Sequence, residues 1–181
     1  MKLQGKDIYL AMLEREDCKT LWNAYEFDFQ VPAEEFNIGH SDEKAADWFE
    51  EIQKLQGDRN VRLGIFTRDG KVVGDVALQD IDRVNRNCTV GIGMARIENR
   101  SRGYGSQAIL LMLDYGFRYL GMERIAAHTL DLNIGAQKAL EKCGFTLEGR
   151  ERKARYLNGS MHDRLTYGIL KEEYFGNLLK E

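Results

Sequence analysis

The spacing of apolar residues changes several times along the chain, and each change marks an element. Residues 8–13 (Ile-Tyr-Leu-Ala-Met-Leu) form a short apolar run that reads as a strand. The stretch Glu14-Arg15-Glu16-Asp17 then brings net negative charge to a helix start, and Leu21, Trp22 and Tyr25 supply part of that helix's apolar face. Residues 26–40 carry Phe27, Phe29, Phe36 and the only proline, Pro32, and read as an aromatic-rich loop or broken helix. Such a segment serves either core packing or the lining of a binding pocket. Ser41 opens a second helix, with Asp42 and Glu43 at its positive end; Trp48, Phe49, Ile52 and Leu55 recur at helical spacing and Gly57 ends it.

From Val61 the period shortens to that of strands. Residues 61–66 and 72–78 read as a strand pair joined at Arg68-Asp69-Gly70-Lys71, where Asp-Gly is a hairpin signal. A polar connection leads to a further strand over residues 88–95. Ala108, Ile109, Leu111, Met112, Leu113, Tyr115, Phe117 and Leu120 then make a helix that is apolar around much of its circumference and therefore buried. Residues 124–130 read as a strand, and Asn133 caps a helix running through Leu140 and Lys142. Two final strands, over residues 145–156 and 161–170, are joined at Asn158-Gly159, a strong hairpin signal. The pattern predicts one α/β domain over residues 1–181, with a mixed central sheet of about seven strands and helices on both faces.

Composition narrows the function classes. With 43% hydrophobic and 30% charged residues the chain has the balance of a soluble globular protein. No apolar run reaches membrane-spanning length, and the opening Met1-Lys2-Leu3-Gln4-Gly5-Lys6-Asp7 lacks the apolar core of a signal peptide, so the expected compartment is the cytoplasm. Cys18, Cys88 and Cys143 are odd in number and far apart, which predicts buried thiols rather than a disulfide framework. His40, His128 and His162 show no zinc-ligand spacing, and no metal is expected. A net charge of −3 argues against a broad nucleic-acid surface and permits a cationic substrate. The basic cluster Arg150, Arg152, Lys153 and Arg155 reads as a solvated strand face.

One stretch carries candidate chemistry. Arg100-Ser101-Arg102-Gly103-Tyr104-Gly105-Ser106-Gln107 lies between a strand and the buried helix. Gly103 and Gly105 let the backbone turn tightly and let a ligand approach its N–H groups. A helix starting near Tyr104 adds unpaired N–H donors and a positive dipole end, and Arg100 and Arg102 add two permanent cations. The alternatives are an ordinary loop and a cradle for a pyrophosphate.

The flanking sequence decides between them. R-x-x-G-x-G at a strand's exit, Asn133-Ile-Gly-Ala136-Gln-Lys-Ala139-Leu140-Glu-Lys-Cys143-Gly144-Phe145 after the next strand, and the closing Tyr156 to Leu170 stretch together resemble the GNAT superfamily of N-acetyltransferases. The likeness is to its ribosomal-protein N-terminal and polyamine acetyltransferase branch, and it covers nearly the whole chain. It implies a splay between the fourth and fifth family strands, acetyl-CoA as co-substrate, and transfer of the acetyl group to a primary amine, either a protein N-terminus or a polyamine or other small amine. It further implies that amides of Arg100, Ser101, Arg102, Gly103, Tyr104, Gly105 and Ser106 bind the pyrophosphate. The same resemblance implies that Met94, Ala95 and Arg96 present the strand edge to the pantetheine arm and that Asn133 contacts the cofactor.

The chain departs from the family where proton transfer is concerned. The family often has Tyr at the position of Leu140, and the ribosomal-protein branch can have Ser at Ala136, either of which protonates the leaving thiolate. Many members carry Glu where Thr89 stands. His128 has a suitable intrinsic pKa for a base, with Asp163 and Tyr156 as further candidates. The alternative reading is a non-catalytic acyl-CoA-binding sensor on the same fold. Edge pairing through the last strands suggests a homodimer; no membrane partner and no direct nucleic-acid binding are expected.

Overall fold

The computed structural model describes residues 1–26 and 41–179. The aromatic segment expected around Phe27, Phe29, Pro32 and Phe36, and His40, therefore lie outside the described residues. The strands are β1 (Lys2–Gln4), β2 (Ile8–Ala11), β3 (Val61–Thr67), β4 (Val72–Asp82), β5 (Asn87–Met94), β6 (Arg124–Leu130), β7 (Thr146–Leu157) and β8 (Ser160–Leu170). The helices are α1 (Arg15–Ala24), α2 (Asp42–Leu55), α3 (Tyr104–Arg118), α4 (Ile134–Lys142) and α5 (Lys171–Leu178), with a 3-10 turn over Ile97–Asn99.

All eight strands form one mixed sheet in the order β1-β2-β3-β4-β5-β6-β8-β7. The short β1, folded back on β2 as a hairpin, is the strand added to the seven expected from periodicity. Three residues are too few to show a period of two. The last hairpin turns through Asn158 and Gly159, both in the left-handed region (φ 48° and 79°), as the Asn-Gly pair requires.

Alternation along the strands sorts side chains onto two faces. Leu63, Ile65, Val76, Leu78, Val90, Ile125, Ala127, Leu165 and Ile169 join the buried face of α3 (Ala108, Ile109, Met112, Leu113, Phe117) in the main core. Leu140 of α4 and Tyr174 of α5 complete that layer. On the opposite face Leu13, Phe66, Val72 and Ala95 meet Cys18 and Leu21 of α1 and Ile52 of α2, with Tyr9 stacked on Phe66 at 5.2 Å. The second face is thus covered by helices over β2 to β4.

Helix starts follow from local chemistry. Ser41 accepts the Lys44 N–H at 3.3 Å to cap α2, and Asn133 accepts the Ala136 N–H at 3.0 Å to cap α4. At α1 the Asp17 carboxylate reaches back to accept the Glu14 N–H at 2.9 Å. The edge strand β7 carries Arg150, Arg152, Lys153 and Arg155 and register shifts between Leu147 and Gly149 and between Glu151 and Arg155. Charges and bulges both discourage strand-to-strand pairing at an edge.

Candidate active site

The parallel pair β5–β6 closes only over Asn87, Cys88 and Thr89 against Arg124, Ile125 and Ala126. Beyond that the two strands part. Residues 90–94 and 127–130 therefore line the two sides of a wedge-shaped opening in the middle of the sheet. Ala95, just past the end of β5, donates its N–H to the Val73 carbonyl at 3.1 Å. Because successive N–H groups of a strand point to opposite edges, the Met94 N–H faces the opening. Of the expected pantetheine edge, Met94 offers a donor there and the Ala95 amide is already occupied by β4. The Arg96 side chain lines a cleft of about 380 Å³ against α1, with Glu16, Lys19, Asn23 and Asp42.

The chain leaves β5 through the 3-10 turn and enters α3 at Gly103. Gly103 is the N-cap of α3 with φ 80°, and no side chain caps this helix. The Gln107 N–H donates to the Gly103 carbonyl at 3.1 Å and is the first intrahelical donor, so the N–H groups of Tyr104, Gly105 and Ser106 precede it, have no intrahelical acceptor and point outward. Ser101 also sits in the left-handed region (φ 59°), which curls the backbone between the turn and the helix. The Arg102 Nε donates to the Glu98 carbonyl at 2.8 Å, which fixes this guanidinium beside the same loop. Arg100 lies close to Tyr25, whose phenol is pushed up by burial and pulled back by the Arg100 charge.

Two contacts distant in sequence hold this loop. The Glu26 N–H donates to the Ala95 carbonyl and the Glu26 carboxylate accepts the Ile97 N–H, both at 2.8 Å. The Gln107 side chain accepts the Asp7 N–H at 3.0 Å and donates back to the Asp7 carboxylate at 2.8 Å. Gln107 thus serves the β1–β2 hairpin rather than the cradle. Sequence reasoning missed Glu26 and Asp7, because neither belongs to a local pattern and each acts on a segment far along the chain, Glu26 on Ala95 and Ile97 and Asp7 on Gln107.

The remaining candidates fall into separate places. His128 lies on β6 with Nδ1 3.2 Å from the Thr166 hydroxyl of β8, on the face away from α3. Thr89 is on the same face of β5, where the strands are still paired. Asn133 uses its side-chain oxygen as a helix cap, which leaves its amide N–H₂ for a ligand. Asp163 takes the Lys153 N–H at 2.7 Å and the Arg150 guanidinium at 2.5 Å, and these bonds hold its carboxyl below the usual range. That makes Asp163 a poor base. Tyr156 is 72% exposed near the tip of the last hairpin. Leu140 is buried in the main core.

Residues 7–146 match the family model of the acetyltransferase (GNAT) domain. The chain belongs to the GNAT acetyltransferase family. Its sequence is 29% identical over 180 residues to the probable N-acetyltransferase YjcK of Bacillus subtilis, covering 94% of this chain and 98% of that one. It is 27% identical over 178 residues to the spermidine N(1)-acetyltransferase of Vibrio cholerae, covering 94% and 96%. The fold superposes with a TM-score of 0.78, at 22% identity and over 94% and 99% of the two chains, on a spermidine N-acetyltransferase from Vibrio cholerae solved in complex with CoA and spermine. No helix among the described residues is long and apolar enough to cross a membrane.

Within this GNAT domain all three cysteines are free and buried. Burial pushes the thiols of Cys18 and Cys88 up to about 12 and that of Cys143 to about 11. Cys143 instead points its Sγ at the Ser106 carbonyl, 3.6 Å away, and ties α4 to the first turn of α3. The folded pKa values lie above the unfolded value of about 8.5, so this contribution to stability is full below that pH and is lost as pH rises through 11 to 12. The native protein is expected to resist thiol-specific disulfide reagents at pH 8 and to react fully once unfolded. Rapid labelling of a folded sample would contradict the burial.

Proposed function

We propose that this enzyme transfers an acetyl group from acetyl-CoA to a primary amine. The observation that carries the reading is the uncapped start of α3, led in by left-handed Gly103, beside an opening between β5 and β6. Three outward N–H groups and a helix dipole favour a pyrophosphate, and Arg100 and Arg102 add charge at the same loop. A pantetheine arm running from there along β5 finds main-chain donors at the opening, and Asn133 stands across it. Acetyl-CoA supplies an activated acyl group whose thiolate leaves readily.

The residues of the chain then have limited tasks. An alkyl ammonium at pH 7 must lose a proton before its nitrogen attacks the thioester carbonyl. His128, on the far wall of the opening and oriented by Thr166, is the group assigned to take it, directly or through water. The Met94 N–H is suited to receive the negative charge that develops on the carbonyl oxygen. With Leu140 and Ala136 unable to donate a proton, positioning supplies most of the rate.

The test measures CoA binding by calorimetry and release of free CoA from acetyl-CoA with spermidine and with a peptide bearing a free N-terminus. Binding with turnover is the expected result. Binding without turnover on either amine would favour an acyl-CoA sensor, and no binding would overturn the assignment. Leu140→Tyr is expected to lower stability by about 1–3 kcal/mol through overpacking without raising kcat. A large gain in kcat would show instead that protonation of the thiolate limits turnover.

A further inference from the structure

Where β4 meets β5, the sheet's second face holds a feature that the cofactor site does not use. Alternation places Thr89, Gly91 and Gly93 of β5 on that face, beside Gln79, Ala77 and Asp75 of β4, their partners in register. Across the opening, His128 of β6 and Thr166 of β8 share the same face. The floor at Gly91 and Gly93 therefore has no side chains, and Gly93 is exposed.

Neither glycine is required by its backbone, since neither lies in the left-handed region. What a side chain would meet is more informative. A Cβ at Gly93 would stand 3.2 Å from Asp75 Oδ1, and one at Gly91 would stand 2.9 Å from Gln79 Oε1. Two acceptor oxygens thus overhang a strip of bare backbone next to the opening. Glycine in a strand without a turn to make marks a close approach by another group.

Asp75 is held for such a role. Its Oδ2 is bound by the Arg62 guanidinium, which itself lies over the Trp48 ring, 5.7 Å from its centroid. The Asp75 side chain is only 17% exposed. Burial pushes its carboxyl up, and the Arg62 charge and hydrogen bond pull it back. The Arg62 bond leaves Oδ1 turned toward Gly93. A carboxylate accepts several donors at once, so one oxygen can stay on arginine while the other takes a second cation.

We propose that Asp75, through Oδ1 and with Gln79 beside it, docks the ammonium group of the acceptor over the bare backbone of Gly91 and Gly93. The inference rests on the acetyl-transfer reading above and names the acceptor-binding residue of that same site. It specifies an acceptor with a slender primary alkylammonium, because a strip without side chains fits an unbranched chain. There the nitrogen lies at the edge of the opening, which β5 lines with the Met94 N–H and β6 lines with His128.

Asp75→Asn and Gly93→Val test this in the full-length protein, with spermidine and the free N-terminal peptide as acceptors. Asp75→Asn removes the charge, and Gly93→Val fills the strip and crowds Asp75 Oδ1 while keeping both charges of the Arg62–Asp75 pair. For both, kcat/KM for the amine is expected to fall by about tenfold to a hundredfold, the worth of a charged hydrogen bond, mainly through KM. CoA affinity measured by calorimetry is expected to hold. Should Asp75→Asn fail to fold once Arg62 loses its partner, Gly93→Val decides. Unchanged amine KM in a folded variant overturns the proposal alone, as does an equal loss of CoA affinity, which would mark a structural role. A wild-type protein that binds no CoA, or acetylates neither amine, overturns the acetyl-transfer reading and the proposal with it.

Discussion

Gly103→Val is expected to weaken CoA binding by at least about tenfold, the effect of roughly 1.4 kcal/mol, while the protein remains folded. The residue has φ 80° and ψ −2° at the N-cap of α3. A β-branched side chain in that region costs on the order of 1–3 kcal/mol, so the loop shifts to relieve it. The shift turns the N–H groups of Tyr104, Gly105 and Ser106 away from the position they share. The core beneath is untouched, because a Cβ at Gly103 approaches only the end of the Gln107 side chain, at 4.0 Å.

Gly105 supplies the contrast. Its backbone is outside the left-handed region, and an added Cβ would touch Ile92 at 3.5 Å, an ordinary contact. Gly105→Ala should therefore keep its fold and lose less affinity than Gly103→Val. Calorimetric titration with CoA and a thermal melt of each variant separate the two effects. A folded Gly103→Val that binds CoA as tightly as the wild type would end the cradle assignment.

Phe117→Ala is expected to destabilise the protein by about 3–5 kcal/mol. Phe117 is 1% exposed on the buried face of α3, and its ring centroid lies 5.3 Å from that of Tyr174 and 6.4 Å from that of Phe175 on α5. Truncation removes the aromatic contacts and leaves a cavity that the two aromatic neighbours cannot readily fill. At roughly 2–4 °C per kcal/mol for a chain of this size, the melting temperature should fall on the order of ten degrees. Phe117 lies at the far end of α3 from Gly103, so CoA affinity well below the melt should change little. A melting shift of only a degree or two would show that α5 is not bound to the core through this ring.

Some elements announce themselves because their signals are local. The apolar face of α3, the Asn133 cap and the Asn158-Gly159 turn each arise within a few residues, and the structure has them where periodicity and turn chemistry predict. The hairpin at Asp69-Gly70 also lies where its signal places it: Gly70 takes the left-handed conformation (φ 85°) and its N–H donates to the Thr67 carbonyl, closing a three-residue loop within the Arg68–Lys71 stretch. The terminal helix α5 and the three-residue β1 were not foreseen. Both are short, and both owe their form to what they pack or pair against.

The sequence by itself determined the R-x-x-G-x-G stretch, the helix that follows it and the family likeness, because glycine freedom, capping and apolar period are properties of neighbouring residues. Only the tertiary structure decided what surrounds that stretch. Register pairs β5 with β6 for three residues and then lets them part, Glu26 and Asp7 reach the loop from distant segments, and alternation brings Asp75 over Gly93. Each of these is a relation between segments far apart in the chain, set by packing two faces of one sheet, and no local pattern encodes it.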